Sequence, residues 1–244
     1  HWSPPPDLPH DPSAASRAEL RERVVEWRSA WKKEFKRNLS PTEDTTGPEA
    51  HQCKTFFDAA LKQGVTLFEP MGGLCPGLEA CLRNGICVNK YLYVDPDAAA
   101  RKVARHRLEM LSAAHPAHFP PEAWTDAFEL IPHHLPDVTA RDLRRAGADS
   151  GEQWMLIAFW EYGSPDQEVQ RLTDLLAEIC GPVPPGILVG YKTQPSRTPI
   201  APPNSPFDKA AFGPSMLLDA ARFGSGVHQL YRSWSTIALS LIHI

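Results

Sequence analysis

The chain has 244 residues, of which 42% are hydrophobic, and this is enough for one sizeable globular domain. Its formal net charge is −4, with 25 Lys and Arg against 29 Asp and Glu, which excludes a protein that is strongly basic overall but permits a local basic face. There is no apolar run of about 18 residues and no N-terminal signal pattern, so the sequence predicts neither insertion into a membrane nor secretion.

The cysteines favour a reducing compartment. There are 5 of them, an odd number without a CxxC pair, in a chain large enough not to need disulfides. We therefore expect an intracellular protein, which would be nuclear if the source is eukaryotic.

The N-terminal part of the chain divides into two segments. Residues 1–13 are rich in proline and are predicted to be a disordered lead-in, and residues 14–63 are predicted to be a helical segment. Within this segment, apolar residues recur every three or four positions and basic residues fill the other face: Leu20, Val24, Trp27, Trp31, Phe35 and Leu39. Two interpretations stay open, a helix docked on the core by its tryptophans and a basic surface for a phosphate backbone or a partner.

The next stretch indicates a nucleoside-binding unit. A short strand, Val65 to Phe68, leads into the glycine turn Glu69-Pro70-Met71-Gly72-Gly73, and a short helix, Leu78 to Gly85, follows. A second strand then ends at Asp95. This order is typical of an adenosine-binding βαβ unit, in which glycines let the backbone approach the ligand and the acidic residue receives ribose hydroxyls.

Strands alternate with helices along the remaining chain. A crossover helix with Val103, Leu108 and Leu111 facing inward is predicted from Asp97 to Leu111, and another helix from Glu168 to Ile179. Further strands are predicted at Ala127–Ile131, Trp154–Phe159, Ile187–Val189, Met216–Leu218 and Tyr231–Ile237. The pattern predicts a Rossmann-like α/β domain over residues 64–238, with a mostly parallel sheet and helices on both faces.

The last six residues, Leu239 to Ile244, have two interpretations. They look like the translation of a sequencing-library adaptor, in which case residues 239–244 are a non-native tail and the domain is incomplete at its C-terminus. They are also compatible with an ordinary apolar strand.

Taken in order, the motifs resemble those of the DNA (cytosine-5) methyltransferases. The matching segments are Leu67–Leu74, Tyr91–Asp95, Asp137-Val138, Trp154–Ala158 and Gly213–Ser225. The resemblance implies the Rossmann-like fold of methyltransferases that use S-adenosylmethionine, with that molecule as cofactor and DNA as partner. The cofactor-binding residues that it implies are Phe68, Glu69, Met71, Gly72, Gly73, Asp95, Pro96, Asp137 and Val138.

The chain departs from the family where chemistry is expected. Glu161 and Tyr162 stand at the Pro-Cys pair, whose thiolate attacks the cytosine ring in the family. A phenol, with a reference pKa of about 10, is a poor replacement. Gly190 and Tyr191 replace a Glu-Asn pair, and Gln229 and Tyr231 replace the two arginines of an Arg-x-Arg. Pro70 also replaces a preferred glycine in the cofactor turn and removes an N–H.

The predicted function is therefore a cytosine-5 methyltransferase-like domain with impaired catalysis. The alternative is a non-catalytic DNA-binding or regulatory module, a pseudoenzyme that assists an active methyltransferase.

Several single residues keep two interpretations. Asp95 either accepts ribose hydroxyls or caps the helix that begins near Pro96. Asp137 either receives an adenine amino group or caps the helix from Thr139 to Ala146, and we favour the cap. Phe68 either flanks the cofactor or is a plain core aromatic, and the glycines of the turn are compatible with an ordinary turn.

No metal site is predicted. Cys75, Cys81 and Cys87 are evenly spaced, but they fall on a turn, a helix and a strand edge. The histidines at 133, 134 and 228 lack ligand partners at suitable spacing, and we expect them at the surface or on a pocket wall.

Overall fold

The structure is a computed structural model that describes residues 18–27, 29, 62–148, 153–160, 166–181, 185–192, 216–219 and 230–235. The described strands are β1 Val65–Pro70, β2 Val88–Val94, β3 Trp154–Trp160, β4 Gly186–Lys192, β5 Met216–Asp219 and β6 Leu230–Ser235. The helices after the N-terminal segment are α1 Pro76–Arg83, α2 Ala98–Ala114, α3 Thr125–Leu130, α4 Ala140–Arg145 and α5 Asp166–Ile179. Short 3₁₀ turns lie at Pro121–Ala123 and Leu135–Asp137.

The strands form one six-stranded sheet in the order β2-β1-β3-β4-β6-β5. The first four strands in this order are mutually parallel, and β6 runs antiparallel to both β4 and β5. The domain is thus an α/β domain with a mostly parallel sheet, as the alternation of strands and helices predicts.

Apolar side chains leave the sheet on both faces, as expected for buried parallel strands. On one face, Leu67 and Tyr91 pack with Leu78 of α1 and Leu108 of α2. On the other face, residues of the same strands join the helices α4 and α5: Phe68, Leu92, Trp154, Leu156, Leu143, Leu172 and Leu176. The prediction of helices on both faces is confirmed.

The N-terminal segment is helical over residues 18–27. Leu20 and Trp27 are buried in the core cluster that contains α5, and the Trp27 indole Nε1 donates a hydrogen bond to the carbonyl oxygen of Gly181 at 3.1 Å. Of the two interpretations of this helix, docking on the core holds for Leu20 and Trp27. Trp31, Phe35 and Leu39 lie outside the described residues, as do residues 1–13 and 239–244.

The predicted third strand at Ala127–Ile131 is wrong, because this stretch contains the helix α3. The amides of Phe128 and Ile131 donate to the carbonyls of Trp124 and Ala127, which is the helical pattern. Five residues are too short for a period of two to be distinguished from helical spacing, and Ala, Glu and Leu favour helices.

Two further expectations about helices are corrected. Val103 of α2 is 53% exposed, so it does not face inward, whereas Ala104 and Leu108 are buried. The cap of α4 is Thr139, which forms a reciprocal capping box with Asp142, so the expected cap Asp137 is wrong. Asp137 ends the preceding 3₁₀ turn and is exposed.

Candidate functional site

The glycine turn lies where the direction of chain winding reverses. From β1 the chain passes to β2 at one side, and β3 then pairs with the other side of β1. In open α/β sheets, the crevice outside the carboxyl ends of the strands at this reversal is where ligands bind. The turn from Met71 to Cys75 follows the carboxyl end of β1, and Asp95 follows that of β2.

The turn needs glycine at residue 72. The Gly72 amide donates to the carbonyl oxygen of Val94 at 3.1 Å, which ties the turn to the end of β2. A Cβ atom on Gly72 would lie 2.6 Å from the Tyr93 ring, closer than packed atoms can approach. Met71 and Cys75 adopt left-handed backbone conformations, each with φ of 58°, so the chain reverses sharply around this glycine.

Gly73 faces open space. Its φ is +48°, and a Cβ atom there would meet nothing within 4 Å. Its amide donates to the Oδ2 atom of Asp95 at 2.9 Å, and its carbonyl oxygen accepts from the Tyr93 hydroxyl at 2.9 Å. Asp95 and Tyr93 therefore hold the turn in place, while the side of Gly73 on which a Cβ atom would stand has room for a ligand.

Asp95 joins the glycine turn to the start of α2. The residue is 8% exposed, and its Oδ1 atom accepts from the Asp97 amide at 2.8 Å. The cap of α2 is Asp97, whose side chain accepts from the Ala99 amide, so Asp95 organises the approach to the helix without being its cap. A carboxylate can accept about four hydrogen bonds, so the two backbone amides leave capacity for ligand hydroxyls.

Glu69 is a buried carboxyl group beneath the turn, and it is 2% exposed. Its Oε1 atom accepts from the Gly77 amide at 2.8 Å, and its Oε2 atom accepts from the Leu78 amide at 3.2 Å and from the Tyr91 hydroxyl at 2.9 Å. Burial raises the pKa of Glu69 to about 7, against the opposing effect of these hydrogen bonds. The carboxyl group thus holds the first turn of α1 and does not face the crevice surface of Gly73.

The other cofactor-binding residues implied by the resemblance are distributed unevenly. Phe68 and Val138 are fully buried in one core cluster, and Met71 packs against it. The Val138 carbonyl accepts from Arg171 at 2.7 Å. Pro96 is exposed next to Asp95, and Asp137 is exposed. The structure brings together the glycine turn and Asp95, and it gives no contact between Asp137 and this pair.

Three of the six expected catalytic positions lie outside the described part of the chain, namely Glu161, Tyr162 and Gln229. Gly190 is in β4, paired with Phe159 of β3 and with Ser233 of β6. For Tyr191 and Tyr231 only the backbone is described. In the antiparallel pairing of β4 with β6, Tyr191 lies opposite Arg232 and Tyr231 lies opposite Lys192.

The buried cysteines are not activated nucleophiles. Burial raises the pKa of the Cys75 and Cys81 thiols to about 12, and it also raises the pKa of the Cys180 thiol. A thiol with a raised pKa stays protonated at neutral pH and is inert. Within the described residues no group of three or more His, Cys, Asp or Glu side chains could hold a metal ion, and His133 and His134 are exposed.

Tyr91 and Tyr93 were not selected as site residues from the sequence, yet both support the site. They face the α1 side of the sheet from alternate positions of β2, and the register places them beside Leu67 and Glu69 of β1. Alternate side chains of a strand point to the same face, so the sequence places Tyr91 and Tyr93 on one face of β2. The signal that was available is the single carboxylate of β1, Glu69, which lies on that same face of the sheet.

No helix in the described part of the chain is both long and apolar enough to cross a membrane.

No protein-family model matches the sequence, and a comparison with curated proteins found no match.

Proposed function

We propose that this chain is an adenosine-ligand-binding α/β domain related to the DNA (cytosine-5) methyltransferases, with S-adenosylmethionine as its ligand. The observation that carries the proposal is the link between Gly73 and Asp95 at the reversal point of the sheet. An open glycine backbone beside a strand-end carboxylate suits an adenosyl group. The glycine lets the ligand approach the backbone closely, and the carboxylate accepts hydrogen bonds from the ribose hydroxyls.

The antiparallel end of the sheet favours one nucleoside over a dinucleotide. Dinucleotide-binding domains repeat the parallel βαβαβ unit on each side of the crevice. Here β6 is antiparallel to β4, so the second half of the sheet does not repeat the first. One adenosine site therefore fits this topology better than two.

The residues at the expected catalytic positions favour a domain that binds S-adenosylmethionine without catalysing methyl transfer. At the positions where the resemblance implies a thiolate, the chain has Glu161 and Tyr162, and neither side chain can form the adduct that a soft nucleophile forms. The same losses support the second candidate, a non-catalytic module that contacts DNA or an active methyltransferase. The intracellular, and in a eukaryote nuclear, location stays a prediction.

Calorimetric titration with S-adenosylmethionine tests the cofactor site. We expect saturable binding to the unmodified chain and at least about tenfold weaker binding by Asp95→Asn, since the amide loses charge-assisted hydrogen bonds to ribose. Asp126→Asn makes the same chemical change at an exposed position of α3 and should bind normally. No heat from a chain with an intact circular dichroism spectrum would refute the proposal.

Trapping on DNA that contains 5-fluorocytosine tests whether the chain retains a nucleophile that can attack cytosine. The proposal predicts no covalent complex, because no thiolate reaches the base. A stable adduct would show that the chain has a working nucleophile and that the assignment of Tyr162 to its position is wrong.

A further inference from the structure

The amino end of α1 is occupied by a side chain of the protein itself. In nucleotide-binding βαβ units the first amides of this helix bind a phosphate group. Here two of those amides, Gly77 and Leu78, donate to the two carboxyl oxygens of Glu69 at 2.8 and 3.2 Å. The donors that a phosphate would need are therefore already used.

Glu69 also fills the space beside these amides. A Cβ atom on Gly77 would lie 2.9 Å from both the Glu69 Oε1 atom and the Ile157 Cδ1 atom. Tyr91 closes the other side of the carboxyl group with its hydroxyl. A phosphate is larger than a methyl group, so it cannot enter while Glu69 keeps this position.

We propose that Glu69 is a specificity-determining residue that excludes phosphate-bearing adenine ligands and reserves the crevice for adenosyl ligands without phosphate. The choice of adenosyl ligand rests on the proposed function. The exclusion of phosphate rests on the geometry of Glu69 alone, so the two claims can fail separately.

Binding of ATP and of inorganic phosphate to four forms of the chain tests the proposal: unmodified, Glu69→Gln, Glu69→Ala and Glu79→Gln. Glu79 is the matched control, because it is also an acidic residue in the first turn of α1 but pairs with arginines at the surface. We expect Glu69→Ala to bind ATP at least about tenfold more tightly than the control and to be stabilised by phosphate against thermal unfolding. Glu69→Gln should behave like the unmodified chain, because its side chain fills the same space and its amide oxygen can still accept from Gly77. Should Glu69→Ala fail to fold, Glu69→Ser takes its place, because serine is also too short to reach the Gly77 and Leu78 amides.

The proposal is overturned if the unmodified chain binds ATP as tightly as Glu69→Ala, or if the folded chain with the shortened side chain gains nothing over Glu79→Gln. A parallel titration with S-adenosylmethionine separates the two claims. If phosphate binding appears when the side chain is shortened while no form binds S-adenosylmethionine, the proposed function fails and the role of Glu69 stands. If S-adenosylmethionine binds and the shortened variant still rejects phosphate, only the role of Glu69 is refuted.

Discussion

Glu69 is a carboxyl group in an environment that disfavours its charged form. It is an ionisable side chain in an otherwise apolar strand, and burial raises its pKa to about 7 from the ordinary value of 4.5. The native state therefore binds this proton more tightly than the unfolded state does. Its contribution to stability is greatest at low pH and is lost as the pH rises from about 4.5 to about 7.

Substitution by glutamine should remove this pH dependence. Between pH 5 and pH 8, the free energy of unfolding of the unmodified chain should fall relative to that of Glu69→Gln by an amount on the order of 3 kcal/mol at most. Urea titrations at both pH values measure the difference, and all other carboxyl groups cancel because both proteins contain them. Parallel pH profiles would contradict the buried, proton-retaining carboxyl group.

The two glycines of the turn should respond differently to alanine. Gly72→Ala places a methyl group 2.6 Å from the Tyr93 ring, so it should destabilise the fold by about 1–3 kcal/mol through overpacking. Gly73→Ala has open space and adds only the cost of a left-handed conformation, about 1 kcal/mol. Thermal unfolding of both variants tests this order, and a larger loss at Gly73 would reverse our assignment of the packed and open sides.

At the scale of elements, strong patterns were predictable from the sequence and weak ones were not. The run Trp154 to Phe159 is apolar throughout, and it is a buried strand of the parallel sheet, β3. The stretch Ala127–Ile131 is short and has no turn residues that fix its period, and it became α3. The glycine turn and Asp95 were predictable from their types and order, whereas the inward contacts of Tyr91 and Glu69 depend on the strand register.

The cap of α4 gives a test at this scale. Thr139→Ala removes the side chain that accepts from the Asp142 amide, so it should cost about 1 kcal/mol of unfolding free energy. Asp137→Ala, at the cap position that the sequence suggested, should leave stability within about 0.5 kcal/mol, because the side chain is exposed. Equal losses in chemical denaturation would show that Asp137 shares the capping role.

In the molecule as a whole, the residues that pack the core differ from those at the expected catalytic positions. The described strands form one continuous sheet with a packed core on each face, and the glycine turn lies where the strand order reverses. At the positions where the resemblance implies reactive side chains, the chain has Glu161, Tyr162 and Gly190. A packed core without those reactive groups is what the proposed binding domain requires, since packing and chemistry depend on different side chains.

Binding at the glycine turn can be measured by titrating isotopically labelled protein with S-adenosylmethionine and following the amide resonances in nuclear magnetic resonance spectra. The largest saturable shifts should fall on Gly73, Asp95 and Asp97, because their amides and carboxylates line the proposed site. Amides of α4, on the opposite face of the sheet from α1, should shift little. An absence of saturable shifts, or the largest shifts at α4, would show that S-adenosylmethionine does not bind at the glycine turn.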